Sequence, residues 1–416
     1  MKANSPQTLK GFRDFLPQEK RVRVAVARKF IDAFELFGFA PLETPTLEYA
    51  SLLLGKYGDE ADKLVYTFSD RGEREVGLRY DQTVPTARVL TQYQNDLPKF
   101  FRRYQIQNVF RADKPQKGRF REFTQCDIDI FGAPAPIADA EIIACTYQAF
   151  KDIGFNQVVL KINDRQLLIS ALQPFATDQV DVYSLIQSID KLDKLPPDAV
   201  QQELESKGIS GKNAQSALEA ITRQEPTPEL EAIINAGESL GVPQSALQFS
   251  PTLARGLDYY TGMIFEVWLP EYEGGSCGGG GRYDNLIEQL GGPNVPAVGI
   301  GIGFDRVVEA ATQLGLVQTT DSQATALVTV FNQATLTRSL ELANQLRQAG
   351  IATEIYPSMD KIGKQLSYAS QQNIPFVIIV GEDEVANNTV TIKNMKSGEQ
   401  QTVAINQAIE LISAEG

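Results

Sequence analysis

The stretch FRADKPQKGRFREFTQCDIDIFG, residues 110–132 of the 416-residue chain, carries the densest chemistry. On an extended backbone, side chains two apart share a face. Arg121, Phe123, Gln125, Asp127 and Asp129 then point one way, and Thr124, Cys126, Ile128 and Ile130 the other. One face is polar and its reverse apolar. Arg111 closes the preceding apolar run, and Lys114, Lys117 and Arg119 follow in the connecting loop, so fixed cations surround the polar face. Guanidinium forks match phosphate and carboxylate oxygens.

Three other stretches add to this set. LRYDQTVPTAR puts Asp81 and Thr83 two residues apart. On a strand or strand end they are an acceptor pair for an ammonium group; otherwise they form a cap or turn. ARGLDYYTG, residues 254–262, groups Arg255 with Tyr259 and Tyr260. Taken alone, DYYTGMIFEVW reads as an ordinary half-buried strand, so the meaning of the cluster depends on its neighbours. GGSCGGGGRYDNL places Tyr283 after a glycine run that either admits a ligand close to the backbone or forms a mobile loop.

The segment AVGIGIGFDRV does not fit a dinucleotide fold: its glycines alternate as GxGxG rather than GxGxxG, and no βαβ unit with a distal acid follows. No GxxxxGK[ST] run occurs either. If ATP is used, arginines on a sheet hold its phosphates. The chain has no histidine at all, which removes the usual proton carrier near neutral pH. Chemistry here must run on arginine, carboxylates, tyrosine, a bound metal or the substrate itself.

The elements that position these residues are legible in outline. Pro17 and the apolar spacing of Val22, Val26, Phe30 and Phe34 predict a first helix that ends at Gly38. LVYTF and VGLRYD flank a polar turn and read as a hairpin; FFRRYQIQNVFR and FREFTQCDIDIFG read as a second. Residues 136–152 are helical, and QVVLKINDR is a strand running into a loop. From about 165 to 245 the chain turns rich in Ala, Gln, Leu and Glu and is broken at LPP, SKGISG and EPTPE, a small helical insertion. VPAVGIGIGFDRVVEAATQLG passes from strand to amphipathic helix. The last ninety or so residues alternate strand and helix, as in a compact α/β domain with a mainly parallel sheet.

Composition sets the remaining bounds. A chain with 43% hydrophobic residues divides naturally into two or three domains. Neither a signal-peptide core nor a membrane-length apolar run is found, which predicts a cytoplasmic protein with no membrane partner. Cys126, Cys145 and Cys277 are too scattered for a zinc or disulfide pattern. The net charge of −13 argues against a surface that grips nucleic acid throughout, while allowing a local basic track.

Taken together, these motifs carry a family resemblance. FRADKPQKGRFREFTQCDIDIFG resembles motif 2 of the class II aminoacyl-tRNA synthetases, and AVGIGIGFDRVV resembles motif 3. GFRDFLP, LRYDQTVPTAR, RGLDYYTG and GGRYDNL are similar to the histidyl-tRNA synthetases, in the family's order. The resemblance implies an α+β catalytic domain on an antiparallel sheet over residues 1–320, with a helical insertion at about 168–245, and a C-terminal α/β anticodon-binding domain over 325–416. It implies a homodimer formed partly through FELFGFAPLETPTLE, and ligation of L-histidine to tRNA(His) with ATP and Mg2+. Carried over by position, Arg111 and Arg255 are catalytic, at the substrate carboxylate and α-phosphate. Histidine would be held by Asp81, Thr83, Gln125, Asp129, Tyr259, Tyr260 and Tyr283 together with those two arginines. ATP would be held by Arg111, Asp113, Arg119, Arg121, Phe123 and Arg306. Members commonly carry Glu and Arg where this chain has Asp113 and Lys114, and some carry Glu at Asp81 and Asp129. An inactive histidine sensor, of the type of the ATP phosphoribosyltransferase regulatory subunit, is the alternative. Such relatives usually lack the C-terminal domain and lose the RGLDYYTG arginine.

Overall fold

The computed structural model describes residues 6–55, 63–114, 120–193, 195–255, 259–317 and 322–415. The chain divides into two compact units, Met1–Val317 and Gln318–Gly416. Among the described residues no helix is long and apolar enough to cross a membrane.

The strands of the first unit are β1 (Ala40–Pro41), β2 (Leu47–Tyr49), β3 (Thr67–Ser69), β4 (Glu75–Leu78), β5 (Phe101–Phe110), β6 (Glu122–Phe131), β7 (Val159–Asp164), β8 (Leu247–Phe249), β9 (Met263–Trp268), β10 (Gly278–Arg282) and β11 (Ala297–Gly303). Eight of them form one sheet in the order β1-β5-β6-β11-β10-β9-β7-β8, and β2-β4-β3 form a small second sheet. The large sheet is antiparallel through its centre and parallel only at its edges, β1 with β5 and β7 with β8. The expected antiparallel sheet is thus present, made mixed by one parallel pair at each edge.

One face of this sheet is apolar by alternation. Cys126, Ile128 and Ile130 of β6 are fully buried there beside Phe265 and Ile302. Over them lie the helices Pro17–Leu36, Ile137–Ile153 and Phe304–Gln313, contributing Phe30, Ile142, Phe150 and Val307. Pro17 opens the first of these helices, where its missing N–H costs no hydrogen bond, and Gly38 follows its end at φ +78°. The opposite face carries the polar residues of β6 and is shielded by Thr83–Gln92 and by insertion helices.

The strand at 159–164 runs straight into the helix Arg165–Leu172, capped by Asp164, and not into a loop. Helices Val182–Ile189, Pro197–Ser206, Gly211–Thr222 and Pro228–Ser239 follow. Asp181, Ser210 and Thr227 accept backbone N–H groups at three of their starts; Ser210 lies in SKGISG and Thr227 in EPTPE, while at LPP it is Pro197 that opens its helix. Leu185, Ile189, Leu204 and Ile221 pack among themselves and with Leu168. Leu230 and Ile233 of the last helix join the core under the main sheet instead.

The second unit is a five-stranded sheet in the order β13-β12-β14-β15-β16, with β12 (Ala326–Val328), β13 (Thr353–Ile355), β14 (Phe376–Ile379), β15 (Thr389–Asn394) and β16 (Gln400–Ala404). The first three are parallel and the last two antiparallel. Leu342 and Leu346 of the helix Gln333–Gln348 cover Val328, Ile378 and Ile392.

Candidate active site

Strand pairing brings the polar faces together. In β5 and β6, Arg103 lies opposite Asp129, Gln105 opposite Asp127 and Gln107 opposite Gln125. On the other side of β6, Gly299 lies opposite Asp129 and Gly301 opposite Asp127. A Cβ at Gly299 would collide with the Asp129 carboxylate, and one at Gly301 would stand 3.3 Å from both Asp127 Oδ1 and Gln125 Nε2. The alternating glycines of AVGIGIG thus keep one strand face bare so that two carboxylates can lie across it.

Above this floor is a cavity of about 260 Å³. All nine residues expected to hold histidine line it: Asp81, Thr83, Arg111, Gln125, Asp129, Arg255, Tyr259, Tyr260 and Tyr283. Tyr80, Asp127 and Gly279 complete much of the wall. The volume lies just below the roughly 300–1,000 Å³ of drug-sized ligand sites, the scale of an amino acid.

Local structure differs from the strand geometry expected for several of these residues. The strand before Asp81 ends at Leu78, and Thr83 begins the helix Thr83–Gln92. Asp81 accepts the Val84 N–H at 3.1 Å, the capping alternative, while still facing the cavity. Arg255, Tyr259 and Tyr260 are not on a strand; β9 starts only at Met263. Arg255 stands at φ +50°, a region uncommon for a residue with a Cβ. Distant partners fix this turn: Asn163 Nδ2 donates to the Pro251 and Leu253 carbonyls at 3.1 and 2.9 Å, and Arg165 donates to the Ala254 carbonyl at 3.1 Å. The glycine run is no loop. Residues 278–282 form β10 between β9 and β11, and a Cβ at Gly279 would strike the Arg255 guanidinium.

The two arginines are held differently. Arg111 Nε donates to the Tyr80 carbonyl at 3.2 Å, and its guanidinium lies 4.3 Å from the Tyr80 ring centre and 5.1 Å from that of Phe123. Arg255 pairs with Glu266 of β9 at 2.5 Å, and its Nε has no hydrogen-bond partner among the described residues. Tyr259 packs on Tyr260 at 4.7 Å between ring centres and edge-on to Tyr283 at 5.9 Å. Tyr283 donates its hydroxyl to Asp129. It is carried by the end of β10, where Arg282 grips Asp139 and pairs with Asp284 at 2.9 Å.

The electrostatics are those of a buried, carboxylate-rich pocket. Burial pushes the Asp127 carboxyl well above its ordinary range, with Arg103 opposing. Asp129 is raised the same way, and both Arg103 and the Tyr283 hydrogen bond pull it back. Burial also raises the Tyr283 and Tyr259 hydroxyls, so both remain donors at neutral pH. Gln125 Oε1 and Asp127 Oδ1 are buried without a hydrogen-bond partner among the described residues. Unpaired buried acceptors are costly, and a ligand bearing N–H groups relieves them.

Of the described residues expected at ATP, only Arg111 lines this cavity. Phe123 is half-buried beside it. Arg121 donates to the Asp113 and Lys10 carbonyls at 3.1 and 3.4 Å, tying the hairpin to the N-terminal segment. Arg306 is exposed at the start of the helix Phe304–Gln313 and donates to the Ser276 carbonyl at 2.7 Å. Arg119 and Lys117 lie outside the described residues. Sequence reasoning passed over Arg103 and Glu266. The period-two run Arg103, Gln105, Gln107 marks a polar strand face and was the available signal for Arg103.

Comparison with known proteins places the chain in a family. The family described as "Histidyl-tRNA synthetase" matches residues 11–307, and "Anticodon binding domain" matches residues 325–415. The chain is 38% identical to a histidine–tRNA ligase of Cytophaga hutchinsonii over 97% of its own length and 98% of the relative's. It is 36% identical to that of Wolinella succinogenes, over 98% of each. Among solved structures, histidyl-tRNA synthetase from Nostoc sp. PCC 7120 superposes with a TM-score of 0.85 at 31% identity, covering 99% of this chain and 100% of that one.

Proposed function

The chain belongs to the histidyl-tRNA synthetase family, and from that premise we propose that its cavity seats histidine for attack on ATP. It is an ATP-dependent ligase joining histidine to tRNA(His). The single observation that carries the site assignment is the convergence of all nine expected side chains on one amino-acid-sized cavity.

In this reading Asp81, Thr83 and Gln125 take the ammonium group, and Asp129, with Tyr283 behind it, takes a ring N–H. Tyr259 and Tyr260 enclose the ring. Arg111 and Arg255 then face the carboxylate and the α-phosphate. The carboxylate attacks the α-phosphorus, a P–O bond forms as the bond to the leaving pyrophosphate breaks, and histidyl-adenylate results. The nucleophile is already ionised, so the step needs alignment and charge neutralisation rather than a base. A chain without histidine loses nothing here. In the second step the terminal ribose hydroxyl of tRNA attacks the acyl carbon and AMP leaves. A phosphate oxygen of the adenylate takes the hydroxyl proton.

Mg2+ would arrive on the ATP phosphates, which it prefers to protein cages, and would neutralise their charge. Among the described residues no group of three His, Cys, Asp or Glu side chains has the geometry to hold a metal ion, the three cavity acids included, so no Mg2+ site is assigned to the protein. A homodimer through residues 34–48 is part of the reading; exposed Leu36, Leu47, Tyr49 and Phe68 on or near that segment support it. So is a cytoplasmic location. The C-terminal domain match and the presence of Arg255 weigh against an inactive histidine sensor. Histidine-dependent ATP–pyrophosphate exchange tests the function: exchange with histidine and none with other amino acids is expected. Absence of exchange in folded, titrated protein overturns it.

A further inference from the structure

Arg103 is one of two arginines, with Arg165, at 0% exposure among the described residues, and it lies opposite Asp129 on the strand beside the cavity floor. Its guanidinium pairs with Asp129 at 2.6 Å and donates to Gln105 Oε1 at 3.2 Å. Gln105 is itself oriented from two sides, donating to Thr44 Oγ1 at 2.8 Å and accepting from Thr86 Oγ1 at 3.4 Å. The cation is therefore locked beside the floor and does not line the cavity.

Such an arrangement is a poor way to gain stability. A buried ion pair seldom outperforms well-packed apolar residues of the same volume. It makes sense if the carboxylates beside it must keep their charge in a buried site. Three acids meet there: Asp127 and Asp129 from β6, and Asp81 from the turn before the helix Thr83–Gln92. Facing them are Arg111 from the end of β5, Tyr283 beyond β10, and Tyr259 and Arg255 from the segment before β9. Arg255 is already matched by Glu266. From β11, Gly299 and Gly301 lie opposite Asp129 and Asp127, and neither they nor Ile300 between them brings a charge.

We propose that Arg103 is a positioning residue for recognition of the ring: it fixes Asp129 as a charged acceptor, with Asp127 as a further acceptor beside it, and the pair selects a ring presenting N–H. Asp127 Oδ1, buried without a hydrogen-bond partner among the described residues and set between Gln125 and Asp129 on the same strand face, is the second acceptor of this pair. The inference rests on the assignment of Asp129 to the imidazole.

The test is kcat/KM for histidine and for ATP, by pyrophosphate exchange, in Arg103→Met and Arg103→Lys, from about pH 6.5, where the ring titrates, to about pH 9. Each value is taken as a ratio to the unsubstituted enzyme, so that titration of the free ring cancels. Arg103→Met is expected to raise the histidine KM about 10²-fold or more, the usual consequence of stranding a buried charge, and to leave the ATP KM within about twofold. Its ratio for histidine climbs as pH rises, because carboxylates deprived of the cation are harder to ionise and gain charge at higher pH than in the unsubstituted enzyme. Arg103→Lys keeps the charge and loses the fork, so the ratio is flat with pH while the KM stays a few-fold high. If Arg103→Met does not fold, Arg103→Lys and Arg103→Met/Asp127→Asn carry the test; the double variant, with one acid fewer, recovers part of the histidine kcat/KM. Parallel losses for histidine and ATP with no pH slope overturn the proposal. Asp129→Asn run alongside separates the two levels. If it leaves the histidine KM unchanged, the ring assignment itself fails. If it raises that KM while the Arg103 variants do not, only the role of Arg103 falls.

Discussion

The three glycines Gly299, Gly301 and Gly303 on one face of β11 offer a graded perturbation with constant chemistry. Each glycine-to-alanine change adds one methyl group on the same side of the same strand. At Gly299 the methyl overlaps the Asp129 carboxylate and the Ile128 carbonyl. The carboxylate cannot swing aside freely, since Arg103 and Tyr283 both hold it. Overpacking of a buried site costs about 1–3 kcal/mol. If most of that falls on the group that receives the ring, kcat/KM for histidine drops about 10- to 100-fold, at about 1.4 kcal/mol per tenfold. At Gly301 the nearest atoms are the ends of two side chains at 3.3 Å, which yield by a few tenths of an ångström, and the loss is only a few-fold. At Gly303 the nearest atom is the Cys277 carbonyl at 3.4 Å, an ordinary contact, so activity is unchanged. Alanine's smaller conformational entropy loss makes the last variant equal or slightly better in stability. Histidine-dependent pyrophosphate exchange with thermal melts checks the series. Equal losses at 299 and 303, or loss of ATP and histidine affinity together at 299, would refute the reasoning that the glycines exist to clear space for Asp127 and Asp129.

Other substitutions reach different parts of the site. Arg255→Ala should depress adenylation by a factor on the order of 10², measured in single turnover, since it removes preorganised charge at the transferring phosphorus. Tyr283→Phe deletes a hydrogen bond to a buried carboxylate, worth about 1.5–3 kcal/mol, so the histidine KM rises about 10- to 100-fold while ATP binding is spared. Asp127→Asn tests linkage to folding. Burial, opposed by Arg103 and reinforced by Asp129, lifts the folded-state Asp127 pKa above its unfolded value. Its contribution to stability is therefore fully present in acid, below the unfolded carboxylate range, and is lost as pH rises toward the folded value. In unfolding of the ligand-free protein, the Asp127→Asn variant should be the more stable at about pH 8, with its advantage shrinking toward about pH 5. A constant difference across this range would contradict the burial argument.

The alternation of polar and apolar residues in 121–130 was legible because a strand has period two and this strand is buried on both faces for different reasons. Cys126, Ile128 and Ile130 went to the core; Gln125, Asp127 and Asp129 went to the cavity. What alternation could not convey is where a strand begins. The apolar run of DYYTGMIFEVW looks continuous, yet Tyr259 and Tyr260 precede β9, because Asn163 and Arg165 bind the backbone of residues 251–254 from about ninety positions away. The same nonlocality explains the glycine run. Its composition suits a mobile loop, and only pairing with β9 and β11, and the need to pass beneath Arg255, makes it a strand. In the second unit, β16 and the helix Ile405–Glu415 were missed. The edge strand is exposed and polar, QQTVA, and carries almost no hydrophobic signal. Arg103 was overlooked for another reason: a charged residue beside Arg102 in FFRRYQ reads as solvated, and its burial depends on the acids supplied by the partner strand.

A structure of the protein with histidine bound is the most direct test of the whole account. The account predicts the imidazole against Asp129, enclosed by Tyr259 and Tyr260 with Asp127 beside it, the ammonium group at Asp81 and Gln125, and the carboxylate toward Arg111 and Arg255. Histidine bound with its ring toward Arg111, or outside the cavity floored by β6 and β11, would contradict it.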